Sequence, residues 1–256
     1  MVHTRPSFPS DDSASRAPLL RIGCAGWSIP ASYAPRFDSE GTHLQRYARV
    51  FNAVEINSSF YRPHRATTYQ RWAASVPTHF RFSVKMPKAI SHEKRLQGCD
   101  SDLIEFLDQA CCLRDKLGCL LLQLPPSFMF DQAVVAPFMH QLRRLHSGPV
   151  ACEPRHASWF SASSSRVLRD HGISRVAADP ARCTDAALPG GDRSIEYTRL
   201  HGSPNVYYDT YSLASLARIR EELERFSTET QERWCMFDNT ALGHATGNAL
   251  TMINHV

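Results

Sequence analysis

The sequence predicts an α/β protein of one domain, a (β/α)8 barrel, and three observations support this prediction. The chain has 256 residues, close to the roughly 250 residues that eight strand–helix units require. Short apolar runs rich in β-branched residues recur along it, and segments with helical periodicity separate most of them. The composition changes abruptly at no internal point, so we expect one domain rather than two.

Eight segments have the length and composition of strands, and six further segments place apolar residues at the i, i+3, i+4 spacing of helices. The predicted strands are 21–25, 53–57, 80–85, 119–124, 149–153, 173–179, 195–201 and 233–238. The predicted helices are 44–51, 69–75, 103–117, 134–145, 163–170 and 213–226. Strands that alternate with helices form parallel sheets. Eight such units without a long linker favour closure into a barrel, and no glycine-rich dinucleotide fingerprint follows the first strand.

The first eighteen residues differ from the rest of the chain. They contain Ser, Pro and Asp where a secretory signal would have an apolar run. We therefore expect a disordered tail over residues 1–18 and the barrel over residues 19–256. No later segment approaches the roughly 18 consecutive apolar residues of a membrane span. The sequence predicts a cytoplasmic protein with no membrane partner and leaves its oligomeric state open.

Charge and cysteine content limit the classes of partner. The net charge of +4 is below the concentrated basic excess that nucleic-acid-binding proteins usually carry. Nucleic acid is therefore permitted as a partner but not indicated. The eight cysteines form no C-x-x-C pair and no zinc-finger spacing with histidine, so we expect reduced thiols and no metal site.

Polar and charged residues concentrate at the carboxyl ends of the predicted strands, the face where α/β barrels carry their active sites. Because side chains alternate along a strand, Glu55 and Asn57 share one face of the second strand, as Arg199 and His201 do on the seventh. An ionised group is costly to bury, so these charges must pair with one another, meet water or meet a ligand. The side chains expected at this rim are Glu55, Asn57, Ser83, Lys85, Gln123, Glu153, Arg155, Asp179, Arg199, His201, Asp238 and Asn239.

Aromatic and histidine side chains on or just after the same rim are further ligand-binding candidates. His92 lies in the loop after the third strand and could reach over the pocket as a proton donor, with a surface loop cap as its alternative. His156 follows the fifth strand, and core packing is the alternative for Trp159. Aromatic rings at these positions could stack on a ligand or shield it from water. The aromatic candidates are Trp27, Tyr61, Trp159 and Tyr211.

Several of these stretches resemble one known family, the YecE-like family, which is domain of unknown function family seventy-two. The matching stretches are IGCAGWS at 22–28, VEINSSFYR at 54–62, FSVK at 82–85, QLPPSF at 123–128, EPRHASWF at 153–160, RLHG at 199–202 and DNT at 238–240. The resemblance covers essentially everything after the tail and implies a TIM-barrel fold. It implies no reaction, because the family has no agreed activity. Ala157 stands where the family usually has Pro, and Asp238 stands where it usually has Asn.

The first functional hypothesis is an enzyme, a hydrolase, lyase or isomerase, that acts by acid–base chemistry on a small anionic substrate, phosphorylated or sugar-like. We expect Lys85, Arg155 and Arg199 to bind the anion. Glu55 or Glu153 would act as the base, and His201 or His92 as the partner acid. This hypothesis requires no cofactor. The residues assigned to catalysis are Glu55, Lys85, Glu153 and His201.

Two alternatives stay open. One is a metal-assisted nucleic-acid hydrolase or DNA-binding protein related to barrel endonucleases, which would need a divalent metal. Its ligands would come from Glu55, Glu153, His156, Asp179, His201 and Asp238. The other is a non-catalytic ligand-binding or partner-binding module, which keeps the pocket but turns nothing over; for the rim charges themselves, a purely structural network in which Glu55, Lys85, Glu153 and Arg199 neutralise one another is also open. A Glu55 or Glu153 that is locked in a salt bridge, rather than free to accept a proton, would favour the last reading.

Overall fold

The structure, a computed structural model, describes residues 19–225, 230 and 232–255. Residues 1–18, where a disordered tail is predicted, lie outside the described residues. Seven of the eight predicted strands occur as single strands with ends within two residues of those predicted. The strands in the described part of the chain are β1 (Leu19–Cys24), β2 (Ala53–Ile56), β3 (Arg81–Lys85), β4 (Leu117–Gln123), β5 (Val150–Glu153), β6 (Ser174–Arg175), β7 (Ala177–Asp179), β8 (Gly190–Gly191), β9 (Ile195–Leu200) and β10 (Glu232–Phe237).

Helices lie between most of these strands. They are α1 (His43–Ala48), α2 (Ala66–Ala74), α3 (Asp100–Ala110), α4 (Gln132–Leu145), α5 (Ala162–Asp170), α6 (Leu213–Arg225) and α7 (His244–His255). Side chains define several starts: Asp131 accepts a hydrogen bond from the backbone of Ala133 at the start of α4, and Ser161 caps α5. Within these ranges, none of the helices combines the length and the apolar character needed to cross a membrane.

Two helix predictions were wrong at identifiable places. Predicted helix 103–117 ends at Ala110, because a short 3-10 helix follows and Arg114 within it has φ 53° and ψ −127°. That left-handed conformation interrupts an α-helix. Helix α7 was not predicted, because Gly243 and Gly247 are typical of a loop.

The strands form two sheets with parallel neighbours throughout, apart from β8. One sheet has the order β1-β10-β9-β7, and the other has the order β2-β3-β4-β5-β6-β8, with β8 antiparallel to β6. The predicted strand 173–179 contributes to both sheets, since it divides at Val176 into β6, which pairs with β5, and β7, which pairs with β9. The chain therefore has a mixed α/β fold built on parallel sheets.

The edges formed by β1 and β2 meet at a seam with little backbone pairing. A single bridge joins Ala25 to Glu55. Further down, the side chain of Asn52 accepts a hydrogen bond from the backbone of Ile22 at 2.9 Å and donates one to the carbonyl of Leu20 at 2.8 Å. Because side-chain bonds replace a regular ladder here, the predicted single closed sheet of eight strands is not confirmed.

Apolar side chains form two cores. The larger lies between the strands and the helices. The smaller joins strands of both sheets, and within it the rings of Tyr197 and Trp234 stack with centroids 5.8 Å apart. Its members are Ala53, Cys119, Leu121, Ala151, Val176, Ile195, Tyr197, Trp234 and Met236.

The smaller core positions the polar residues of the rim. Because side chains on one face of a strand recur every second residue, the residue two positions after a core side chain lies directly above it toward the carboxyl end. The pairs related in this way are Ala53 and Glu55, Leu121 and Gln123, Ala151 and Glu153, Tyr197 and Arg199, and Met236 and Asp238. Buried polar and charged side chains, here called the polar layer, therefore lie directly above the smaller apolar core; they are Glu55, Gln123, Glu153, Arg199 and Asp238.

Substituting the glycine of β1 tests the seam between β1 and β2. A Cβ at Gly23 would lie 2.0 Å from the carbonyl oxygen of Ala53, a backbone atom that cannot move aside. We expect Gly23→Ala to lower the free energy of unfolding by about 1–3 kcal/mol, measured by urea denaturation. Gly148→Ala is the control, because its nearest neighbour is the movable ring of His146 at 2.8 Å. Equal stability of both variants and the parent would contradict this account of the seam.

Candidate functional site

Arg199, near the end of β9, is the centre of the polar layer and is fully buried. Its Nε and Nη2 donate to the two carboxylate oxygens of Glu55 at 3.0 and 2.6 Å. Its Nη1 donates to Glu153 at 2.6 Å, and Nη2 also donates to Asp238 at 3.0 Å. These carboxylates come from β2, from β5 and from the residue after β10. One guanidinium thus joins both sheets, and with all its nitrogens engaged Arg199 is not available to bind an anion, contrary to expectation.

His201 adds a second connection between the same carboxylates. Its Nε2 lies 2.9 Å from Glu153 Oε1, and its Nδ1 lies 2.9 Å from Asp238 Oδ2. Burial alone would lower the pKa of His201, but the charge of Glu153 and the hydrogen bonds to both carboxylates outweigh burial and raise this pKa above 6.5. His201 therefore carries a proton toward higher pH than an exposed histidine does.

Glu55 has no unoccupied oxygen in this arrangement. Besides Arg199, its Oε2 accepts a hydrogen bond at 3.0 Å from the hydroxyl of Tyr197, which also lies 2.9 Å from Ser83 Oγ. Burial, followed by the charge of Glu55, raises the pKa of Tyr197 well above its usual value, so the phenol stays protonated. Glu55 is therefore locked in a salt bridge to Arg199 and a hydrogen bond to Tyr197.

Glu153 and Asp238 are held as carboxylates. Burial raises the pKa of each, but the charges of Arg199 and His201 act in the opposite direction and lower the net value below its ordinary range. Glu153 also accepts a hydrogen bond from Gln123 Nε2 at 3.0 Å. A carboxylate with a lowered pKa is a weak base, so the geometry does not support Glu153 as a proton acceptor.

Lys85, the last residue of β3, differs from the other charged groups of the layer. It is only 5% exposed, and its Nζ lies 4.3 Å from the ring centroid of Phe60. Among the residues that the structure describes, its ammonium makes no hydrogen bond and no ion pair. Burial and the positive charge of Arg199 lower the pKa of Lys85, and the three nearby carboxylates offset this only in part.

Arg155 and His92 lie at the outer edge of the layer. Arg155 Nε is 4.0 Å from Glu153, and Arg155 Nη1 donates to the hydroxyl of Tyr207 at 3.3 Å. The ring of His92 packs edge-on against Phe60, with centroids 4.9 Å apart. Burial, followed by the charges of Lys85 and Arg155, lowers the pKa of His92, so its imidazole is neutral near pH 7.

Three further candidates form a structural cluster beside the layer. The hydroxyl of Tyr211 lies 2.7 Å from Asp179 Oδ1 and accepts a hydrogen bond from the backbone of Gly202 at 3.0 Å. Asn239 is fully buried, and its Nδ2 donates to Asn248 Oδ1 at 2.8 Å. These contacts fix the loops after β7, β9 and β10, which gives Tyr211, Asp179 and Asn239 a role in holding the rim in shape.

Trp159 and His156 also serve the scaffold. Trp159 is fully buried, and its indole Nε1 donates to the carbonyl of Phe128 at 2.9 Å. The core-packing alternative therefore describes Trp159, which offers no surface to a ligand in this structure. His156 Nδ1 accepts a hydrogen bond from the backbone of Ser158 at 3.2 Å and so caps the short helix Ala157–Phe160.

The remaining candidates, Trp27, Asn57 and Tyr61, line an open cavity of about 430 Å³ at the carboxyl ends of β1 and β2. Asn57 Oδ1 is buried there without a hydrogen-bond partner in the described residues. Tyr61 is 67% exposed, and the ring of Trp27 contacts that of Trp72 edge-on, with centroids 5.0 Å apart. This cavity combines aromatic faces with an unused acceptor.

Sequence reasoning missed some residues of the site. Tyr197 could have been found, because it lies two positions before Arg199 on the same strand face. Phe60 follows the second predicted strand and was expected on or just after the rim, with core packing as its alternative, but nothing in the sequence places its ring beneath Lys85. Tyr207 lies in a loop whose path the sequence does not specify. No group of three or more His, Cys, Asp or Glu among the described residues is arranged to hold a metal ion.

The raised pKa of His201 makes stability depend on pH. A group with a raised pKa in the folded state stabilises fully below its unfolded value near 6.5 and loses this contribution as pH rises through the folded value. We expect the free energy of unfolding, measured in urea, to fall from pH 6 upward by more in the parent than in His201→Gln. His140→Gln, at an exposed position of α4, should keep the parent's pH profile. Parallel profiles for the parent and His201→Gln would contradict the two carboxylate contacts.

Known proteins resemble this chain in sequence. Residues 21–256 match the family described as "Protein of unknown function DUF72". The UPF0759 protein YecE of Escherichia coli K12 is 32% identical over 177 residues, which cover 67% of this chain and 62% of the relative. The match thus spans less than two thirds of that relative's length. The UPF0759 protein YunF of Bacillus subtilis 168 is 22% identical over 269 residues, which cover 92% of this chain and 94% of the relative.

Two solved structures share the fold. A DUF72 family protein from Enterococcus faecalis V583 has a TM-score of 0.77 at 21% identity, covering 91% of this chain and 94% of the other. A DUF72 family protein from Thermotoga maritima has a TM-score of 0.73 at 25% identity, covering 92% and 98%. The resemblance to the YecE-like family is therefore confirmed: this chain belongs to the DUF72 family.

Proposed function

We propose that the protein binds a small anionic substrate at the carboxyl-terminal face of its sheets and acts on it by acid–base chemistry. The observation that carries this proposal is Lys85, a 5% exposed residue whose ammonium has no hydrogen-bond or ion-pair partner among the described residues. A buried charge without a partner is costly. It is maintained where a ligand supplies the missing contact.

The charges of the layer support an anion rather than a cation as the ligand. The three carboxylates that surround Arg199 are balanced by Arg199 itself, by protonated His201 and by Lys85 when it is charged. Arg155 then adds one further positive charge at the outer edge. A single negative group placed between Lys85 and Arg155 would neutralise this excess and give both side chains a partner.

The proposal changes the roles assigned from the sequence. Lys85 and Arg155 bind the anion, while Arg199 and Glu55 act as positioning residues beneath it. His92 is the group that can move a proton, because its neutral imidazole can accept one near pH 7. Chemistry is therefore assigned to the outer edge of the layer and not to its buried carboxylates.

The cavity lined by Trp27, Asn57 and Tyr61 supports a substrate with a hydroxylated, sugar-like part. Its aromatic faces can stack on a ring, and Asn57 Oδ1 can accept a hydrogen bond from a hydroxyl group. Tyr61 packs against Phe60 with ring centroids 5.0 Å apart. The ring of Phe60 also contacts the ammonium of Lys85. The ring of Phe60 therefore separates the cavity from Lys85, one of the two residues proposed to bind the anion.

We also infer that the two sheets close into a (β/α)8 barrel. The bridge between Ala25 and Glu55 and the bonds of Asn52 support closure on one side. The division of predicted strand 173–179 between the sheets supports closure on the other. The shared inner core of both sheets is what the interior of such a barrel contains.

One observation favours the non-catalytic binding module as the second candidate. Both carboxylates expected to act as bases, Glu55 and Glu153, are engaged with Arg199. A module that only binds an anion would need nothing more from them. The metal-assisted hydrolase has less support, because the oxygens and nitrogens that would bind the metal, those of Glu153, His201 and Asp238, are hydrogen-bonded to one another.

A ligand panel tests the proposal on the full chain. A ligand that binds only the folded state raises the melting temperature. We expect stabilisation by phosphate, sulfate and sugar phosphates, unchanged by a chelator, and little effect of divalent metals or short oligonucleotides. Substituting Lys85→Met should remove the effect of phosphate. Lys88→Met is the matched control, because Lys88 is exposed and pairs with the exposed Glu93 at 3.0 Å.

The opposite results separate the alternatives. Stabilisation by one metal that a chelator abolishes would contradict the anion site and favour the hydrolase. Stabilisation by sugar phosphates without turnover of any of them would favour the binding module. Equal stabilisation of the parent and Lys85→Met by phosphate would mean that Lys85 does not contact the anion.

A further inference from the structure

Lys85 differs from the other buried cations of the described chain in having no polar partner. Arg21 pairs with Glu232 at 2.6 Å. Lys116, the other buried lysine, donates to two backbone carbonyls at 2.9 and 2.7 Å. The ammonium of Lys85 instead faces the ring of Phe60 at 4.3 Å. An aromatic face stabilises a cation without binding its protons, so the nitrogen of Lys85 can lose a proton without breaking a hydrogen bond.

These surroundings suit an amine that reacts better than one that only attracts charge. An amine attacks a carbonyl carbon through its lone pair, which is available only in the neutral form. Burial and the charge of Arg199 favour the neutral form of Lys85. Lysines that are desolvated beside another cation are typical of Schiff-base chemistry.

Arg155 supplies a permanent positive charge near Lys85. Lys85 ends β3 and lies across β4 from Ala151, and Arg155 stands four residues beyond Ala151. The guanidinium of Arg155 lies beside the polar layer, since its Nε is 4.0 Å from Glu153. The charges of Lys85 and Arg155 both lower the pKa of His92, so a molecule of a few carbon atoms beside His92 can meet Lys85 at one end and Arg155 at the other.

We propose that the amine of Lys85 forms an imine with a small carbonyl compound whose phosphate or carboxylate group is held by Arg155. This inference rests on the proposed anion site and names the class of its substrate. The Nζ lone pair bonds to the carbonyl carbon as the carbon–oxygen π bond breaks. The nitrogen then loses two protons, and the oxygen leaves with them as one water molecule, so no oxidant or reductant is needed. His92, packed against the same Phe60 ring, is the group that can carry these protons.

Reductive trapping of the full chain tests this inference. The protein is incubated with dihydroxyacetone phosphate or pyruvate, treated with sodium cyanoborohydride to reduce the carbon–nitrogen double bond, and mapped by peptide mass spectrometry. The chain has four lysines, Lys85, Lys88, Lys94 and Lys116, so each can be followed separately. We expect a mass increase on Lys85 equal to the carbonyl compound less one oxygen atom. The adduct should be lost in Lys85→Met, retained in Lys88→Met and suppressed by inorganic phosphate.

A second variant separates the imine from the anion site. Arg155→Ala leaves the contacts of Lys85 intact, so it should reduce trapping of dihydroxyacetone phosphate but not of uncharged dihydroxyacetone. Label spread evenly over Lys85, Lys88 and Lys94 would overturn the imine, while phosphate stabilisation would still support the anion site. Equal trapping of the charged and uncharged ketones in the parent would overturn the requirement for an anionic group.

Discussion

At the carboxyl-terminal face, the guanidinium of Arg199 bonds to Glu55, Glu153 and Asp238, and the arrangement of the other polar groups depends on this contact. Arginine suits the position, because its planar group stays charged when buried and can donate to several carboxylates at once. Loss of the guanidinium would leave the three buried carboxylates short of one positive charge and of four hydrogen bonds, a change that costs far more than an ion pair on the surface. Since its partners come from both sheets, Arg199 also fixes how the sheets meet at their ends.

The contacts of Arg199 explain why the groups proposed to act on the substrate, Lys85, Arg155 and His92, lie at the outer edge of the polar layer and not at its centre. The carboxylates that could neutralise Lys85 are already hydrogen-bonded to Arg199 and His201, so the ammonium of Lys85 is left with an aromatic face. The same engagement makes Glu153 a poor proton acceptor and leaves Glu55 without an unoccupied oxygen. Asp238, which the resemblance marks as a departure from the family's usual Asn, supplies a third carboxylate and helps to keep His201 protonated. The polar layer is thus nearly neutral, and Lys85 and Arg155 at its edge are the cations left to bind an anion.

The sequence was sufficient for the position of the site but not for its bonding. Strand periodicity places Glu55, Arg199 and Glu153 above the inner apolar residues, because alternation along a strand is a local property. Which carboxylate pairs with which cation depends on contacts between strands distant in sequence, so Arg199 was taken for an anion-binding residue. The burial of Trp159 and the seam at Asn52 depend on tertiary packing in the same way. Helix α7 was missed because Gly243 and Gly247 are typical of a loop, whereas Gly247 lies within the helix and lets it pack closely against Tyr33.

The proposed site depends most on the amine of Lys85 having no polar partner. NMR titration of the ε-carbon of Lys85, in protein labelled with ¹³C-lysine, tests this directly. The four lysines give few signals, and Lys85→Met assigns the one that disappears. We expect Lys85 to titrate below the ordinary lysine pKa of 10.5 and phosphate to raise its pKa. A pKa of Lys85 at or above 10.5, unchanged by phosphate, would show that the buried carboxylates neutralise it and would contradict the proposed site.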